Sequence, residues 1–324
     1  MSDTLDLNKL ADQLASGLAR EQLGDESAEA APGAAAGALS GAREAVPRGV
    51  NFDSHDIRLG DVLEHALLNA AATPDEVDAH CDAAMSARVA TVVVSPYWVA
   101  HCAERLAESD VKVTSAVGFP FGMLPPAAKA SQAALAFAHG ATEVESIAPV
   151  GVLRSRDWRG LYDDVEAVVR AADGAQVTVT LETSRLTPME MLRAAAIVGD
   201  AGADAVKAGT GFGQHGLARV EAVALLRLAV GDDLGVKAAA GDCTAAVAFR
   251  LISNGATSIA VNSLAALAQV TGRGPRPLHE LMQATLAHSR EQAPREAVQH
   301  PAPQSPPNNV PPRVTPAWGT SHSR

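Results

Sequence analysis

Lysine is rare in this sequence, and two of its lysines end short apolar runs. Five of the 26 basic residues are lysines and the remaining 21 are arginines. Lys207 stands in AVKAG and Lys237 in GVKAA, so that each follows a valine and precedes small residues. An arginine stays protonated, whereas a lysine can lose its proton and act as a nucleophile. These two lysines are therefore candidates for amine chemistry.

Lys207 and Lys237 are predicted to end two neighbouring strands. Adjacent strands lie about 4.8 Å apart, and two ammonium groups held that close repel each other. Burial in an apolar barrel mouth also disfavours the charged form. We therefore expect one neutral amine near pH 7, able to attack a carbonyl and form a Schiff base. The alternative is a pair of surface lysines that bind a carboxylate or nothing.

Two glutamates, Glu145 and Glu64, are candidates for acid–base work beside the lysines. Glu143 and Glu145 are two residues apart on a predicted strand, so they share one face. Glu145 lies nearer the carboxyl end of that strand and is expected to relay protons and to keep Lys237 charged. Glu64, near the likely first strand, is a second acid candidate. The alternative for each glutamate is a solvated or salt-bridged side chain.

Other polar residues give weaker signals. The glycine-rich GTGFG (209–213) lets backbone N–H groups approach a ligand such as an anion, although an ordinary strand-to-helix turn is the alternative. Cys243 is predicted to be structural. No spacing predicts a metal or a cofactor. Four histidines without ligand spacing are predicted to lie at helix ends or on the surface: His65, His101, His139 and His215.

Short β-branched runs alternate with longer helical runs, and these elements must position the candidate residues. Predicted strands span 63–68, 89–94, 111–117, 142–147, 177–181, 203–207, 234–238 and 258–261. Predicted helices span 74–88, 125–139, 157–172, 187–201, 216–230 and 244–254, and three of them end in a glycine typical of a helix C-terminus. The repeat predicts an α/β fold, a (β/α)8 TIM barrel with its active site at the carboxyl ends of the strands. A doubly wound open sheet is the alternative, but no dinucleotide glycine fingerprint follows the first strand.

Composition divides the chain into three parts. Residues 1–55 are rich in Ala, Gly, Ser and Glu and are predicted to form a flexible extension. Residues 288–324 carry eight prolines, which neither pair in a sheet nor continue a helix, and are predicted to be a disordered tail. The barrel is therefore assigned to 56–287.

Charge and hydropathy disfavour several classes of partner. A net charge of −11 disfavours nucleic acid and anionic membranes. No apolar run approaches the roughly 18 residues of a spanning helix, and we find no signal peptide. Three cysteines without metal-type spacing indicate a reducing compartment, so a cytoplasmic location is expected. The sequence does not fix the number of subunits, and a homo-oligomer is compatible with it.

Six segments, in order, resemble the deoxyribose-phosphate aldolase family, which are class I aldolases on a (β/α)8 barrel. They are LEHALLNAAAT (63–73), VTSAVGFPFG (113–122), HGATEVESIAPVG (139–151), LETSRLT (181–187), AGADAVKAGTGFG (201–213) and GVKAAAG (235–241). The resemblance implies reversible cleavage of 2-deoxyribose 5-phosphate to glyceraldehyde 3-phosphate and acetaldehyde, without a metal or cofactor. A small-molecule aldehyde or sugar phosphate is the implied partner.

The resemblance also implies roles for individual residues. Lys207 matches the lysine that forms the Schiff base. Lys237 matches the lysine that perturbs its pKa and assists proton transfer, and Glu145 matches the acid that relays protons. The positions that match the family's phosphate site are Gly211, Gly241 and Ser263.

The chain departs from the family at both acids and at the phosphate end. Glu145 and Glu64 stand where the family has aspartates, and a carboxylate displaced by one methylene can cost about 100-fold in rate. The family's Gly-Gly-x-Arg is Ala-Gly-Asp-Cys here (240–243), so an arginine is missing and an acid is present. We hypothesise retained amine chemistry with an altered phosphate site, acting on an aldehyde that lacks a phosphate. A Schiff-base aldolase with another aldehyde and a catalytically weak barrel used for binding remain alternatives.

Overall fold

The computed structural model describes residues 57–213, 216–265 and 277–291. The predicted extension 1–55 and residues 292–324 of the predicted tail lie outside these residues. The last described helix runs to Glu291, four residues past the predicted end of the barrel at 287.

Eight parallel strands close into one barrel in chain order, β1 to β8. Each predicted strand is found within two residues of its predicted start, and the (β/α)8 prediction is confirmed, whereas the open doubly wound sheet is wrong. Closure requires β1 to pair with β8 as well as with β2, and both pairings are present. The strands are β1 Leu63–Leu67, β2 Thr91–Val94, β3 Lys112–Val117, β4 Glu143–Ile147, β5 Gln176–Thr180, β6 Ala205–Lys207, β7 Gly235–Gly241 and β8 Ser258–Val261.

Helices surround the barrel, and local sequence sets where they begin and end. Thr73 and Thr187 each form a capping box with the glutamate three residues later, which satisfies backbone donors at the start of a helix. Glycines 140, 202 and 255 have positive φ after their helices, as predicted. The described helices are α1 Pro74–Ala87, α2 Val99–Arg105, α3 Pro126–Ala138, α4 Val150–Arg154, α5 Trp158–Ala171, α6 Pro188–Asp200, α7 Val220–Val230, α8 Ala245–Ser253 and α9 Leu278–Glu291. None of them is long and apolar enough to cross a bilayer.

The apolar core lies between the strands and the helices and consists mainly of Ala, Val, Leu and Ile. The inside of the barrel is different, because several strands place polar side chains there. Thr91 and Thr114 share a hydrogen bond of 2.9 Å, and Thr178 donates to Glu143 at 2.5 Å. Alternation of side chains along each strand separates these two environments, so the barrel carries a polar interior inside an apolar shell.

A buried ion pair outside the barrel fastens the end of β4 to two helices. Lys129 of α3 is fully buried and donates to Asp164 of α5 at 2.8 Å and to the carbonyl oxygen of Ile147 at 2.7 Å. Ile147 is the last residue of the strand that carries Glu143 and Glu145. This pair therefore fixes the position of the strand end next to the candidate site.

Replacing Lys129 with methionine is expected to lower the free energy of unfolding by about 3–5 kcal/mol, because Asp164 is left as a buried charge without its partner. The matched control is Lys129→Met combined with Asp164→Leu, which removes both charges and keeps apolar volume. Chemical denaturation should show that the double variant recovers most of the loss. Equal destabilisation of the single and double variants would contradict a role for the charge pair.

Candidate active site

The two candidate lysines lie side by side inside the barrel. Lys207 is the last residue of β6, and Lys237 on β7 is its direct partner in the strand register. Both side chains are buried. The sequence prediction that they occupy neighbouring strands, on the same side of the sheet, is therefore confirmed. They point into the barrel rather than outward among the helices, because each contacts glutamates of strands across the interior.

Lys207 is held by two of the predicted acids. Its Nζ donates to both carboxylate oxygens of Glu145, at 2.6 and 2.7 Å, and to Glu64 Oε2 at 3.1 Å. Glu145 stands at the middle of β4 and Glu64 on β1, so three separate strands bring these groups together. The extra methylene of Glu145 does not prevent direct contact with the amine.

Lys237 belongs to the same cluster of charges. Its Nζ lies 2.7 Å from Glu64 Oε1, 2.5 Å from Glu143 Oε1 and 4.0 Å from Glu145 Oε1. Glu64 therefore bridges the two ammonium groups, with one oxygen to each. The cluster contains two lysines and three glutamates, and every member is buried.

The prediction that one of the two lysines is neutral near pH 7 is wrong, because the pKa of both amines is raised. Burial acts to lower the pKa of Lys207, and repulsion by Lys237 adds to that effect, but attraction by Glu145 and Glu64 outweighs both and the pKa is raised. Burial also opposes the charge of Lys237, yet Glu143, Glu64 and Glu145 raise its pKa well above the usual range. The prediction considered the repulsion between two neighbouring ammonium groups. In the structure three carboxylates surround these groups and stabilise their charge.

The two acids that contact Lys207 differ in their proton affinity. Burial raises the pKa of Glu145 to about 7, and attraction by Lys207 only partly offsets it, while the nearby Glu64 charge raises it further. For Glu64 burial also favours the neutral form, but the charges of Lys207 and Lys237 outweigh it and hold the pKa well below its usual range. Glu145 is therefore the acid of this cluster that can gain and lose a proton near neutral pH.

Glu143 is the functional residue that the sequence analysis left without a role. It accepts hydrogen bonds from Lys237 and Thr178, each at 2.5 Å. The sequence places Glu143 and Glu145 on the same face of a strand. In the structure that face points into the barrel. The sequence could not show which face of β4 points inward.

A cavity of about 240 Å³ opens at the carboxyl ends of the strands, above the charge cluster. Lys207 lines it, and Lys237 and the three glutamates do not, so Lys207 is the amine that faces the space for a ligand. The other lining residues are Ala66, Leu67, Leu68, Asn69, Val93, Phe119, Thr210, Gly211, Phe212, Ala239, Gly241, Ala260 and Asn262.

The three positions proposed for phosphate differ in where they lie. Gly211 and Gly241 line the cavity, and both have positive φ, of 74° and 59°. Ser263 is half-buried beside Asn262, and its hydroxyl accepts a hydrogen bond from the amide of Ala265. Asp242, the acid of the Ala-Gly-Asp-Cys segment, is exposed and is not among the described residues that line the cavity.

The loop after Lys207 is tightly folded against neighbouring backbone. A Cβ on Gly209 would lie 2.2 Å from the carbonyl oxygen of Gly216, so only glycine fits there. Thr210 donates to Glu182 at 2.5 Å and accepts from the amide of Phe212 at 3.1 Å. Glu182 follows β5 and is itself in the left-handed region, at φ 47°. These contacts fix the rim of the cavity beside Lys207.

The histidine predictions hold only in part. His101 and His139 lie on or just after helices with partial or full exposure, as predicted, and His215 lies outside the described residues. His65 was predicted to be at a helix end or on the surface, which is wrong. It is buried on β1 and stacks on His80 at 3.8 Å. Burial, with a smaller effect of His65, lowers the pKa of His80 to about 3, so this pair is neutral packing.

Within the described part of the chain, no group of three or more His, Cys, Asp or Glu side chains is arranged to hold a metal ion. Cys243 is buried, and burial raises the pKa of its thiol, as suits a structural residue. Three groups can carry chemistry at this site. They are the amine of Lys207, the carboxyl group of Glu145, whose pKa is raised to about 7, and the fixed ammonium group of Lys237.

Deoxyribose-phosphate aldolases of other organisms are similar to this chain over about two thirds of its length. Over 220 residues it is 38% identical to the deoxyribose-phosphate aldolase of Enterococcus faecalis, covering 67% of this chain and 100% of that protein. Over 217 residues it is 40% identical to that of Exiguobacterium sp., covering 67% of this chain and 97% of that protein. The chain belongs to the deoxyribose-phosphate aldolase family.

Solved structures place this family member among aldolases of the same fold. The deoxyribose phosphate aldolase of Aeropyrum pernix matches with a TM-score of 0.60 and 25% identity, over 66% of this chain and 90% of that one. A protein described as QR15, an aldolase, matches with a TM-score of 0.60 at 24% identity, over 69% and 96%, and supports the fold alone. No family model matches the chain. Membership of the deoxyribose-phosphate aldolase family confirms the prediction that this protein is a lyase.

Proposed function

We propose that this protein is a class I aldolase that cleaves 2-deoxy-D-ribose 5-phosphate to D-glyceraldehyde 3-phosphate and acetaldehyde through a Schiff base on Lys207. One observation carries the proposal. Lys207 is the amine that faces the cavity, and its Nζ lies 2.6 Å from Glu145, a carboxyl group whose pKa is raised to about 7. The names of the relatives support the same reaction.

The first step needs a neutral amine, and Glu145 supplies it. Its carboxylate takes a proton from the Lys207 ammonium group across the hydrogen bond, leaving a neutral amine beside a neutral acid. The amine nitrogen then attacks the aldehyde carbon of the open-chain sugar. Glu145 returns the proton as water leaves, and a protonated Schiff base remains. A carboxyl group with a pKa near 7 suits both directions of this transfer at neutral pH.

The second step breaks the bond between carbons 2 and 3 of the sugar. The ionised Glu145 removes the proton of the hydroxyl on carbon 3, directly or through a water molecule, and a carbonyl forms there. The bonding electrons move into the protonated Schiff base, which becomes a neutral enamine, and glyceraldehyde 3-phosphate leaves. Protonation of the enamine at carbon 2 and hydrolysis then release acetaldehyde and restore the Lys207 ammonium group.

Lys237 acts as a fixed cation in this scheme. Glu64 and Glu143 hold its ammonium group at 2.7 and 2.5 Å, away from the cavity surface. The charge of Lys237 favours the neutral form of the Lys207 amine. It also stabilises the ionised form of Glu145, on which the proton transfers depend. Glu64 supports both lysines at once.

The side chains that line the reacting cavity offer little positive charge to the substrate's phosphate. Among the described residues that line the reacting cavity, Lys207 is the only basic one. This favours the second candidate function, a Schiff-base aldolase of the same mechanism acting on a different or non-phosphorylated aldehyde. Comparing kcat/KM for 2-deoxyribose with that for its 5-phosphate separates the two, because a large preference for the phosphorylated sugar rejects the second candidate.

Two broader assignments accompany the proposed reaction. The Aeropyrum pernix relative is described as tetrameric, which supports a homo-oligomeric state for this chain. All three cysteines are free thiols, in keeping with a reducing compartment such as the cytoplasm.

The experiment that tests the mechanism is reductive trapping with acetaldehyde and borohydride. Peptide mapping by mass spectrometry should find one added ethyl group on the peptide that contains Lys207, since reduction makes the Schiff base permanent. The peptides with Lys129 and Lys237 serve as internal controls, because neither of these amines lines the reacting cavity. A folded protein without an adduct, or with the adduct on Lys237, would refute the assignment.

A further inference from the structure

A buried hydroxyl group lies beside the proposed nucleophile and has no hydrogen-bond partner in the resting protein. Thr180 is the last residue of β5 and is 1% exposed. Its Oγ1 forms no hydrogen bond with any group of the described residues. Buried polar groups are nearly always hydrogen-bonded, and an unbonded one costs free energy that a valine of the same shape would avoid. The hydroxyl of Thr180 is therefore available to bond a group that arrives with the substrate.

Thr180 points into the barrel, on the same side as the lysines. Alternate residues of a strand share a face, and Thr178, two residues earlier in β5, donates a hydrogen bond to Glu143 in the barrel interior. Val179, between the two threonines, packs in the apolar core outside the strands. The hydroxyl of Thr180 therefore belongs to the polar interior of the barrel.

The strand register places Thr180 directly beside Lys207. The two residues are partners in the pairing of β5 with β6, and neighbouring strands lie about 4.8 Å apart. On its other side Thr180 pairs with Ile147, two residues after Glu145 in β4. Thr180 is thus the residue of β5 that borders the side chain of Lys207, between the strand of the nucleophile and the strand of its acid.

The Lys207 amine does not use this hydroxyl at rest, because carboxylates occupy it. Its Nζ donates to both oxygens of Glu145 and to Glu64 Oε2, which accounts for the three protons of an ammonium group. A protonated Schiff base has only one N–H group. When the amine reacts, Lys207 therefore gives up at least two of these contacts, and its side chain can shift and uncover the hydroxyl of Thr180.

Attack on an aldehyde creates a new polar group at the Lys207 nitrogen. The carbonyl oxygen first gains negative charge and then takes a proton from the attacking nitrogen, which gives the hydroxyl of a carbinolamine. Glu145 in its acid form protonates that hydroxyl, the carbon–oxygen bond breaks, and water leaves a protonated Schiff base. Glu145 has a single proton, which this departure uses, so a second donor is needed to stabilise the oxygen while it is charged.

We propose that Thr180 is a further catalytic residue, whose hydroxyl donates a hydrogen bond to the oxygen that leaves Lys207 as water and that enters again when the Schiff base is hydrolysed. Thr180 keeps its own proton throughout, and Glu145 remains the acid and the base. The inference rests on the proposed function, because it adds a residue to the Schiff-base steps of that reaction. The hydroxyl acts in those two steps and not in cleavage of the bond between carbons 2 and 3.

The test compares Thr180→Val, which keeps the branched shape and removes the hydroxyl, with Thr180→Ser, which keeps the hydroxyl. Quenching the reaction with acetaldehyde by borohydride at increasing times measures how fast the Lys207 adduct forms. We expect the rate constant of Thr180→Val to fall by about 10²- to 10³-fold, as on loss of one hydrogen-bond donor to a charged oxygen. Thr180→Ser should recover most of that rate.

Ser115→Ala is the matched control for removal of a buried hydroxyl. The hydroxyl of Ser115 also lacks a partner among the described residues, but the register of β3 aligns it with Val94 and Val144 of the apolar core. Its removal should leave the rate of adduct formation unchanged.

Chemical denaturation gives a readout that does not depend on the reaction. Neither Thr180 nor Ser115 bonds a protein group through its hydroxyl at rest, so the denaturation midpoint should stay the same or rise in Thr180→Val and in Ser115→Ala. Thr178→Val, which loses the hydrogen bond to Glu143, should have a lower midpoint.

Two results would overturn the role of Thr180 alone. One is formation of the Lys207 adduct at the unaltered rate in Thr180→Val. The other is a lowered denaturation midpoint with equally slow adduct formation in Thr180→Val and Thr180→Ser, which assigns the residue to packing. An unaltered protein that forms no Lys207 adduct refutes the proposed function itself, so the two failures are distinguishable.

Discussion

Replacing Lys207 with arginine is expected to lower kcat for aldol cleavage by about 10⁴-fold or more. The guanidinium group keeps the positive charge between Glu145 and Glu64 but stays protonated, so it cannot attack a carbonyl. Loss of activity with the charge retained would identify the missing function as nucleophilic. Steady-state cleavage of 2-deoxyribose 5-phosphate, together with acetaldehyde trapping, measures both the rate and the adduct.

Lys237→Arg is the matched variant for that experiment. It makes the same chemical change to the strand-register partner of Lys207, in the same cluster, but keeps the proposed nucleophile. We expect this variant to form the ethyl adduct on Lys207, and Lys207→Arg to form none. Residual activity of Lys207→Arg above about 1% of the unaltered rate, far more than loss of a nucleophile leaves, would assign the chemistry to another residue.

Replacing Glu145 with glutamine is expected to lower kcat by about 10²- to 10⁴-fold. Glutamine has nearly the same shape and still hydrogen-bonds to Lys207, but it cannot accept the proton of the ammonium group. The amine should then remain charged, because Glu64 continues to stabilise it at 3.1 Å. Single-turnover measurement of Schiff-base formation should place the loss in that step.

The pH dependence of kcat gives a second readout for Glu145. Burial raises its pKa to about 7, and only the ionised form takes a proton from Lys207. The rate of the unaltered protein should therefore rise as the pH increases through about 7, and Glu145→Gln should lack that rise. A profile with the same inflection in both proteins would contradict the role given to Glu145.

Glu145→Asp separates the charge of this side chain from its length. The aspartate keeps an ionisable group but withdraws it from an amine that Glu145 now contacts with both oxygens, at 2.6 and 2.7 Å. Its rate should fall between those of the unaltered protein and Glu145→Gln, because proton transfer over a longer gap is slower. The pH profile of Glu145→Asp should keep its rise, whereas that of Glu145→Gln should not.

The barrel could be predicted because its signals are local. Each strand is a short β-branched run, each major helix has a repeat near 3.6 residues, and capping residues such as Thr73 and Thr187 mark where helices start. The predicted helix at 216–230 begins later, at Val220, because residues before it fold as a loop against Gly209 and Gly211. The short α2 and α4 were missed, since five to seven residues are too few for a helical period to show.

The residues of the candidate site could be predicted from residue type and position in the sequence, but the direction of their pKa shifts could not. Lys207, Lys237, Glu145 and Glu64 converge because parallel strands in a closed barrel end at the same face. The direction of the lysine pKa shifts depends on how many carboxylates lie within about 4 Å of each amine. Glu143 adds a carboxylate beside Lys237 and raises the pKa of that amine. Its inward direction follows from the register of β4 with β3 and β5.

The sequence by itself determined that this chain forms a (β/α)8 barrel, that two lysines end adjacent strands, and that an acid stands opposite them, because periodicity and order along the chain encode those features. The tertiary structure alone decided which of the two amines faces the cavity and how many carboxylates surround each amine. Those properties depend on distances between groups far apart in the chain, and such distances exist only once the barrel has closed.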